Sequence, residues 1–248
     1  MRFVKIQIFI SLIVTAPFFI SPKTEASNIN VPILMYHYIG NNPSPKDVAR
    51  NTLSVSPDKF EAQMNYLAQN GYTPISLDTL YGIFNKQTTP PSKPIVLTFD
   101  DGYTDFYTTA FPILRRFNFH AISFIATGLV GGAYYMNWNQ IKEIAQSGLV
   151  TFEAHTVSHA NLAGLNYASA LKQMVDSKNV IQSQTGYPVN FIAYPFGATN
   201  TLVQSAAKKA GFAGGLGTWF GKASAPGFNM PRIRITGQMS LKDFASRL

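Results

Sequence analysis

Two neighbouring carboxylates, Asp100 and Asp101, directly follow the apolar run 95–99. A buried strand that ends in this way delivers its charged residues to the edge of a sheet, where α/β proteins keep their catalytic groups. Two adjacent carboxylates repel each other, and a nearby cation relieves that repulsion. One carboxylate can then ligate a metal ion while the other acts as a base. An ordinary Asp-Gly turn after a strand is an alternative that these residues alone leave open.

Two histidines, His155 and His159, lie four residues apart in the sequence HTVSH, directly after an apparent strand at 149–153. This spacing places two imidazoles on one face of a helical turn, where they can share a metal ion. The whole chain contains only four histidines, so chance is a less attractive explanation for the pair. Together with Asp100 and Asp101, the two histidines predict a metal site.

Three short motifs carry a family resemblance: TFDDG at 98–102, HTVSH at 155–159 and AYPFG at 193–197. In this order they resemble the first three motifs of the polysaccharide deacetylase family, also called NodB-homology or carbohydrate esterase family 4 proteins. The opening PILMYHY at 32–38 is similar to the start of the branch that de-N-acetylates poly-β-1,6-N-acetylglucosamine, a biofilm exopolysaccharide. The resemblance covers the chain from about Val31 to its end and is more specific for the family than for the substrate.

The resemblance implies metal-assisted hydrolysis of an amide. Such a reaction needs an activated water, a positive partner for the oxyanion, a base and an acid, and a divalent cation supplies the first two. By resemblance, Asp101, His155 and His159 would be the metal ligands and Asp100 the general base. Two histidines and one carboxylate suit Zn2+, and Ni2+ or Co2+ could also be accepted. Phe196 resembles the position whose backbone N–H completes the oxyanion hole.

The chain departs from the common family pattern at three places. Ala193 stands where many members carry an arginine that pairs with the base, and no acidic residue occurs between Asp176 and Asp243 to serve as its usual partner. The late Leu-x-Leu-His motif, which supplies the general acid, is absent as well. The same gaps characterise the exopolysaccharide branch.

Resemblance to that branch assigns the missing roles to other residues. His37, near the end of the first predicted strand, becomes the general acid. Arg232, in preference to Arg234, becomes the residue that orients Asp100. Without the family, His37 would more readily be read as a buried structural histidine, and His120 is interpreted in that way.

Sugar binding requires exposed aromatic rings around the metal site. Six aromatic residues are predicted in loops or just past strand ends, where a pyranose could stack on them: Tyr103, Tyr134, Tyr135, Trp138, Trp219 and Phe220. Most aromatic residues of an α/β domain belong to its core, so only Tyr103 and Trp219 are predicted to bind substrate.

Composition limits the possible partners and chemistry. The formal net charge of +8 would favour anionic cell-wall polymers or membrane surfaces, although surplus lysines that merely solubilise the surface explain it equally well. No cluster of lysine and arginine is dense enough to indicate nucleic-acid binding. The chain contains no cysteine, which excludes disulfides, thiolate metal sites, cysteine nucleophiles and a lipoprotein anchor. The sequence gives no prediction of the oligomeric state.

The first residues resemble a secretory signal peptide. Arg2 and Lys5 precede the apolar run 6–20, and small residues end the segment at Ala26. The apolar run is shorter than a membrane-spanning helix requires, so cleavage after Ala26 is favoured over a retained anchor. Residues 1–26 are therefore predicted as a signal peptide, residues 27–248 as one deacetylase domain, and the protein as secreted or attached to the cell surface.

Strands and helices alternate along the remaining chain. Strands are predicted at 31–38, 72–76, 95–99, 121–126, 149–153, 191–194, 212–216 and 232–235. Residues 41–54 are predicted as a loop, and a helix after residue 103 is predicted to break at Pro112. Alternation of this kind implies a mostly parallel sheet or barrel. The family resemblance implies a distorted (β/α) barrel, usually with seven strands.

These observations together predict a secreted, metal-dependent N-deacetylase of N-acetylglucosamine polymers, with poly-β-1,6-N-acetylglucosamine as the preferred substrate. Peptidoglycan or chitin-type N-acetylglucosamine is the close alternative. A catalytically inactive glycan-binding module with the same fold is an alternative of another class.

Overall fold

The computed structural model describes Met1 and residues 29–42 and 46–248. The predicted signal peptide therefore lies, apart from Met1, outside the described residues. Within the described ranges, none of the helices combines the length and the apolar character that a membrane crossing requires.

The centre of the fold is a parallel sheet that curls into an open half-barrel. Its order is β10-β1-β5-β6-β7-β8-β9, with β4 paired to β5, while β2 and β3 form a separate pair. The strands of the described residues are β1 (Ile33–Tyr36), β2 (Tyr38–Ile39), β3 (Ser54–Val55), β4 (Thr73–Pro74), β5 (Pro94–Phe99), β6 (Ala121–Ile125), β7 (Val150–Ala154), β8 (Phe191–Ala193), β9 (Gly214–Leu216) and β10 (Ile233–Arg234). The prediction of a distorted barrel of about seven strands is confirmed.

Helices connect most of these strands, and most of them cover the outside of the sheet. They are α1 (Val48–Leu53), α2 (Pro57–Gln69), α3 (Leu77–Phe84), α4 (Phe111–Phe117), α5 (Trp138–Gln146), α6 (Tyr167–Thr185), α7 (Thr201–Lys209) and α8 (Leu241–Ser246). Several of them begin where the sequence provides a Ser or Asn whose side chain accepts the N–H of the third helical residue, namely Ser76, Asn137, Asn166, Asn200 and Ser240. Such caps satisfy N–H groups that have no partner inside the helix.

The two faces of the sheet have different neighbours because successive strand residues point in opposite directions. On β5, Ile95 and Leu97 join the large apolar cluster that also contains residues of the outer helices. Val96 belongs to a smaller cluster on the concave face, which brings together residues of five strands and of α3. Val96, Thr98 and Asp100 are two residues apart, so their side chains point to the same face. The catalytic carboxylate predicted by the sequence is therefore directed to the concave face.

A buried carboxylate joins the two strands that carry His155 and Phe196. β7 and β8 share a single register pair, and Oε2 of Glu153 adds to it by accepting the N–H groups of Asn190 at 2.9 Å and Phe191 at 2.8 Å. Burial raises the pKa of Glu153 to about 8. Glu153 thus fixes the start of β8, whose far end supplies part of the site.

Two predicted elements differ from the structure. Residues 41–54 are not a continuous loop, because Asp47 caps α1 by accepting the N–H of Arg50 and β3 pairs with β2. Pro112 does not break a helix; it lies in the first turn of α4, where its missing N–H costs nothing. The turns before it form a π-helix, Phe106–Ala110.

Candidate active site

The predicted catalytic and metal-binding residues meet at one edge of the sheet. This edge carries the carboxyl ends of the parallel strands, where α/β folds place their ligands. His37 follows β1, Asp100 and Asp101 follow β5, His155 follows β7 and Phe196 comes shortly after β8. The direction of the strands therefore accounts for the convergence of residues that are far apart in the sequence.

Asp101, His155 and His159 form a compact set of metal ligands. Oδ1 of Asp101 lies 3.2 Å from Nε2 of His155 and 3.2 Å from Nε2 of His159, and the three candidate ligand atoms lie within 4.8 Å of one another. Oδ1 is buried, yet it has no hydrogen bond of acceptable geometry with either imidazole. Three ligand atoms that converge without forming hydrogen bonds with one another are suited to a divalent cation between them.

The orientation of His155 leaves one ring nitrogen available as a ligand. Nδ1 lies 2.7 Å from the carbonyl oxygen of Ala193, so an N–H at Nδ1 donates to that carbonyl and the lone pair of Nε2 faces Asp101. Metal-binding histidines are commonly fixed in this way through their second nitrogen. Burial lowers the pKa of His155, but Asp101 and Asp100 raise it by more. Burial raises the pKa of Asp101, and the two histidines hold it well below its ordinary value.

The prediction that His155 and His159 share a helical turn is wrong. The segment between them has no helical structure, and Thr156 and His159 have φ angles of 68° and 54°. These left-handed residues turn the chain so that His159 returns to Asp101, and the ring centroids of the two histidines are 5.0 Å apart. The two imidazoles do meet, as the spacing predicts, but through a loop.

Backbone strain is concentrated at this site. Seven described residues other than glycine have a positive φ, and four of them are Asp101, Thr156, His159 and Phe196. Such conformations cost roughly 1–3 kcal/mol each and persist only where surrounding contacts impose them. The strained conformations of these four residues therefore lower the stability of the fold, while they set the geometry of the site.

Asp100 is held by Arg232 and is not part of the metal set. The Nη1 and Nη2 atoms of Arg232 donate to Oδ1 and Oδ2 of Asp100, each at 2.7 Å. Both residues are buried, with Arg232 fully inaccessible to solvent. Arg232 lies one residue before β10, and its Nε and Nη1 also donate to the carbonyl of Gly217 and to Oγ1 of Thr98. Arg234 is exposed, so Arg232 is the arginine that contacts the predicted base.

This pairing keeps Asp100 ionised. Burial raises the pKa of Asp100, but the charges of Arg232 and His155 together with the hydrogen bonds from Arg232 lower it by more, and the net shift is downward. A carboxylate that stays charged at neutral pH can accept a proton, as a general base must.

His37 lies between β1 and β2, close enough to both aspartates for their charges to act on it. Burial lowers its pKa and the charge of Arg232 adds to this effect, while Asp100 and Asp101 raise the pKa; the net shift is downward. Nδ1 of His37 is buried and has no hydrogen-bond partner among the described residues. A histidine with a free ring nitrogen beside the paired carboxylates is compatible with the predicted role of general acid, which stays a prediction.

Phe196 occupies a tight turn after β8. The N–H groups of Gly197 and Ala198 close this turn on the carbonyls of Tyr194 and Pro195, which leaves the N–H of Phe196 outside these two bonds. The ring of Phe196 is exposed, and its centroid lies 4.6 Å from that of His159. The predicted oxyanion role of the backbone N–H stays a prediction, while the ring forms a wall of the metal site.

Tyr103 lies beside Asp101, and two other aromatic rings stack on it. Tyr38 covers one side at a centroid distance of 3.9 Å, and Tyr135 stacks on it at 5.1 Å. These contacts leave less of the Tyr103 ring for a sugar, and its role in substrate binding stays a prediction. Two residues near the site were not predicted from the sequence. Tyr38 is the last residue of the PILMYHY sequence, whereas Arg50, whose guanidinium lies 4.5 Å from the centroid of the Tyr38 ring, belongs to no recognisable motif.

Trp219 lies on the loop after β9, next to the turn of Phe196. Its ring is about half exposed (52%), and its Nε1 donates to the carbonyl of Asn229 at 2.9 Å. The carbonyl of Trp219 accepts the N–H of Arg232. The predicted stacking of Trp219 on a pyranose stays a prediction. Tyr134 and Phe220 are also exposed, whereas Trp138 packs against the large core cluster.

Asp105 provides a test of the electrostatics near the site. Burial raises its pKa to about 6, although the N–H groups of Ile39 and Phe106 and the charge of Arg50 lower it. The pKa of Asp105 is higher in the folded protein than in the unfolded chain. Protonated Asp105 therefore contributes fully to the stability of the fold below about pH 4, and this contribution is lost as the pH rises through about 6.

We therefore expect Asp105→Asn to raise the free energy of unfolding at about pH 8 by on the order of 1–2 kcal/mol and to change it little at about pH 4. Urea unfolding at the two pH values measures the difference. Asp58→Asn, at an exposed position of α2, is the matched control and should show no such gain. An equal effect of Asp105→Asn at both pH values would contradict this prediction.

Comparisons with known proteins agree with the geometry of the site. A family model described as polysaccharide deacetylase matches residues 87–215. The YxkH protein of Bacillus subtilis, whose name places it among the polysaccharide deacetylases, is 33% identical over 226 residues, which are 90% of this chain and 77% of that protein. Among solved structures, the Streptococcus pyogenes deacetylase PplD in complex with acetate has a TM-score of 0.83 and 33% identity, covering 89% of this chain and 99% of that one.

Some relatives carry the name of a specific substrate. The poly-β-1,6-N-acetyl-D-glucosamine N-deacetylase of Staphylococcus aureus is 32% identical over 200 residues, which are 74% of this chain and 68% of that protein. The Escherichia coli protein of the same name is 28% identical, and this chain spans only 36% of its length.

Proposed function

This chain belongs to the polysaccharide deacetylase family, and from that membership we propose that it removes acetyl groups from poly-β-1,6-N-acetylglucosamine with a divalent metal ion. A polysaccharide deacetylase is a hydrolase that acts on amide bonds. The observation that carries the proposal is the convergence of Asp101, His155 and His159 on one point, directly beside the Arg232-bound carboxylate of Asp100. The support for this particular polymer is the similarity to the deacetylase of that name from Staphylococcus aureus.

Asp101, His155 and His159 would hold the metal ion. Two imidazole nitrogens and one carboxylate oxygen suit Zn2+ and leave room for water and substrate, and Ni2+ or Co2+ could take its place. When bound, such a cation acidifies water and polarises the acetyl carbonyl.

The other residues of the site have separate roles in the proposed reaction. Asp100 accepts a proton from the attacking water, and Arg232 keeps its carboxylate ionised and fixed in direction. The backbone N–H of Phe196 donates to the oxyanion that develops on the acetyl group. His37 donates a proton to the amine as it leaves, which completes the exchange of acetate for a free amino group. Trp219 supports the pyranose ring with its exposed face.

The proposal includes a location outside the cytoplasm. Its support is the sequence of the first 26 residues, with two basic residues, an apolar run and a small-residue end, which is the pattern of a secretory signal. A polymer of the biofilm matrix is met at or beyond the cell surface. The positive net charge would favour retention near anionic wall polymers or membranes.

We expect the purified protein to release acetate from β-1,6-linked N-acetylglucosamine oligomers, to lose this activity after treatment with a chelator, and to regain it with Zn2+. Acetate release is measured on β-1,6-linked oligomers, β-1,4-linked oligomers and muropeptides in parallel, with Ni2+ and Co2+ as alternative metals. Faster release from β-1,4-linked oligomers or muropeptides would overturn the proposed substrate and favour chitin or peptidoglycan. Binding of glycan without release of acetate under any divalent ion would instead indicate an inactive glycan-binding module.

A further inference from the structure

The loop between the two histidine ligands is fixed by a side chain from a different element. Gln173 lies on α6, and its Oε1 accepts the N–H of Val157 at 3.0 Å and the N–H of Ser158 at 3.1 Å. The hydroxyl of Ser158 lies 3.4 Å from the same oxygen. Among the described residues, Gln173 is the only side chain outside the loop that forms a hydrogen bond with the backbone of residues 156–159.

The two histidines differ in how they are held. His155 ends β7, is almost completely buried, and is fixed through Nδ1 by the carbonyl of Ala193. His159 has no comparable hydrogen bond at its second ring nitrogen among the bonds of the described residues, and its side chain is 26% exposed. The position of His159 therefore depends on the backbone that carries it and on contact with the ring of Phe196.

That backbone adopts a conformation that needs external support. Thr156 and His159 both have a positive φ, which is unfavourable for residues with a Cβ. The N–H groups of Thr127 and Gly128 donate to the carbonyls of Thr156 and Val157, and these bonds fix the first half of the loop. Gln173 binds the N–H groups of Val157 and Ser158, the two residues directly before His159.

We infer that Gln173 is a positioning residue for the metal site, which sets the affinity for the metal by holding His159 against Asp101. This inference rests on the proposed function, because it requires that Asp101, His155 and His159 bind a metal ion. The amide oxygen accepts two backbone N–H groups at once, and a side chain without an acceptor at this position would release both. His159 would then be free to leave Asp101, while His155 would stay in place.

We expect Gln173→Leu to weaken the binding of Zn2+ by about 10–100-fold, the range typical for residues that orient metal ligands. Gln173→Glu keeps an acceptor oxygen at the same distance along the side chain and should restore the affinity to within a few-fold of the unchanged protein. Gln182→Leu, on the same helix and partly buried like Gln173, is the matched control and should bind Zn2+ normally. Competition with a chromogenic chelator measures the dissociation constants.

A purely structural role of Gln173 would give a different result. It would lower the melting temperature of the metal-free protein and leave the Zn2+ affinity of the folded protein unchanged. Equal affinity of folded Gln173→Leu and the unchanged protein, or failure of Gln173→Glu to restore binding, would overturn the inference. Because binding is measured without substrate, a protein that binds Zn2+ with the expected dependence on Gln173 but releases no acetate would contradict only the proposed function.

Discussion

Asp100→Asn is expected to reduce the rate of acetate release by about 10²–10⁴-fold, the usual contribution of a general base, while Zn2+ binding is retained. Asn cannot accept a proton from water, but it has nearly the shape of Asp. Asp100 lies outside the set of Asp101, His155 and His159, so its charge is not needed for ligation. Steady-state acetate release and chelator competition on the same preparation measure the two properties.

A loss of activity that is caused by unfolding has to be distinguished from one that is caused by the missing base. The substitution weakens the bidentate contact with Arg232, so activity is compared at a temperature at which unfolding curves show the variant to be folded. Asp105→Asn makes the same chemical change five positions further along the chain and should retain activity. Asp100→Asn that keeps a tenth or more of the activity would contradict the role of Asp100, and loss of Zn2+ binding would indicate that Asp100 is itself a ligand.

Arg232→Met is expected to lower the free energy of unfolding by about 3–5 kcal/mol. The substitution removes the partner of a buried carboxylate, and the cost arises from the uncompensated charge of Asp100. Arg232 is fully inaccessible and Asp100 is 3% exposed, so water cannot replace the lost hydrogen bonds. Urea unfolding of the metal-free protein measures the effect.

The double variant Asp100→Asn/Arg232→Met distinguishes this explanation from a simple loss of packing. With both charges removed, a substantial part of the lost stability should return, because replacing both members of a buried ion pair costs far less than removing one of them. Arg234→Met, at the exposed end of β10, is the control and should change stability little. A double variant no more stable than Arg232→Met would show that the cost comes from packing and not from charge.

Most of the fold could be predicted from local patterns. The apolar runs that become β5, β6, β7 and β8 are bounded by polar or glycine residues, and helices between them indicate a parallel sheet. Residues 41–54 were less predictable. Their few apolar residues do not show that β2 and β3 pair, since a two-residue strand is stabilised by its partner and has no periodicity of its own.

The candidate site also has features that the sequence predicts and features that it does not. The strand ends predicted that the paired aspartates and the two histidines converge, since parallel strands bring their carboxyl ends together. The choice of Asp101, His155 and His159 as the ligand set came from the family resemblance. The helical turn predicted for the histidines was wrong because a spacing of four residues is also compatible with a loop of left-handed residues. The two stacked neighbours of Tyr103 come from separate segments, so no local pattern could predict these contacts.

The sequence by itself determined the family, the order of the strands that carry the site and the residue types available for metal binding, because these depend on local periodicity and on motifs within a few residues. Only the tertiary structure decided that Arg232 and not Arg234 contacts Asp100, and that Gln173 supports the loop of His159. Asp100 and Arg232 are 132 positions apart in the sequence. Such contacts depend on how the sheet curls and on which helix packs behind a loop, and no stretch of sequence contains both partners.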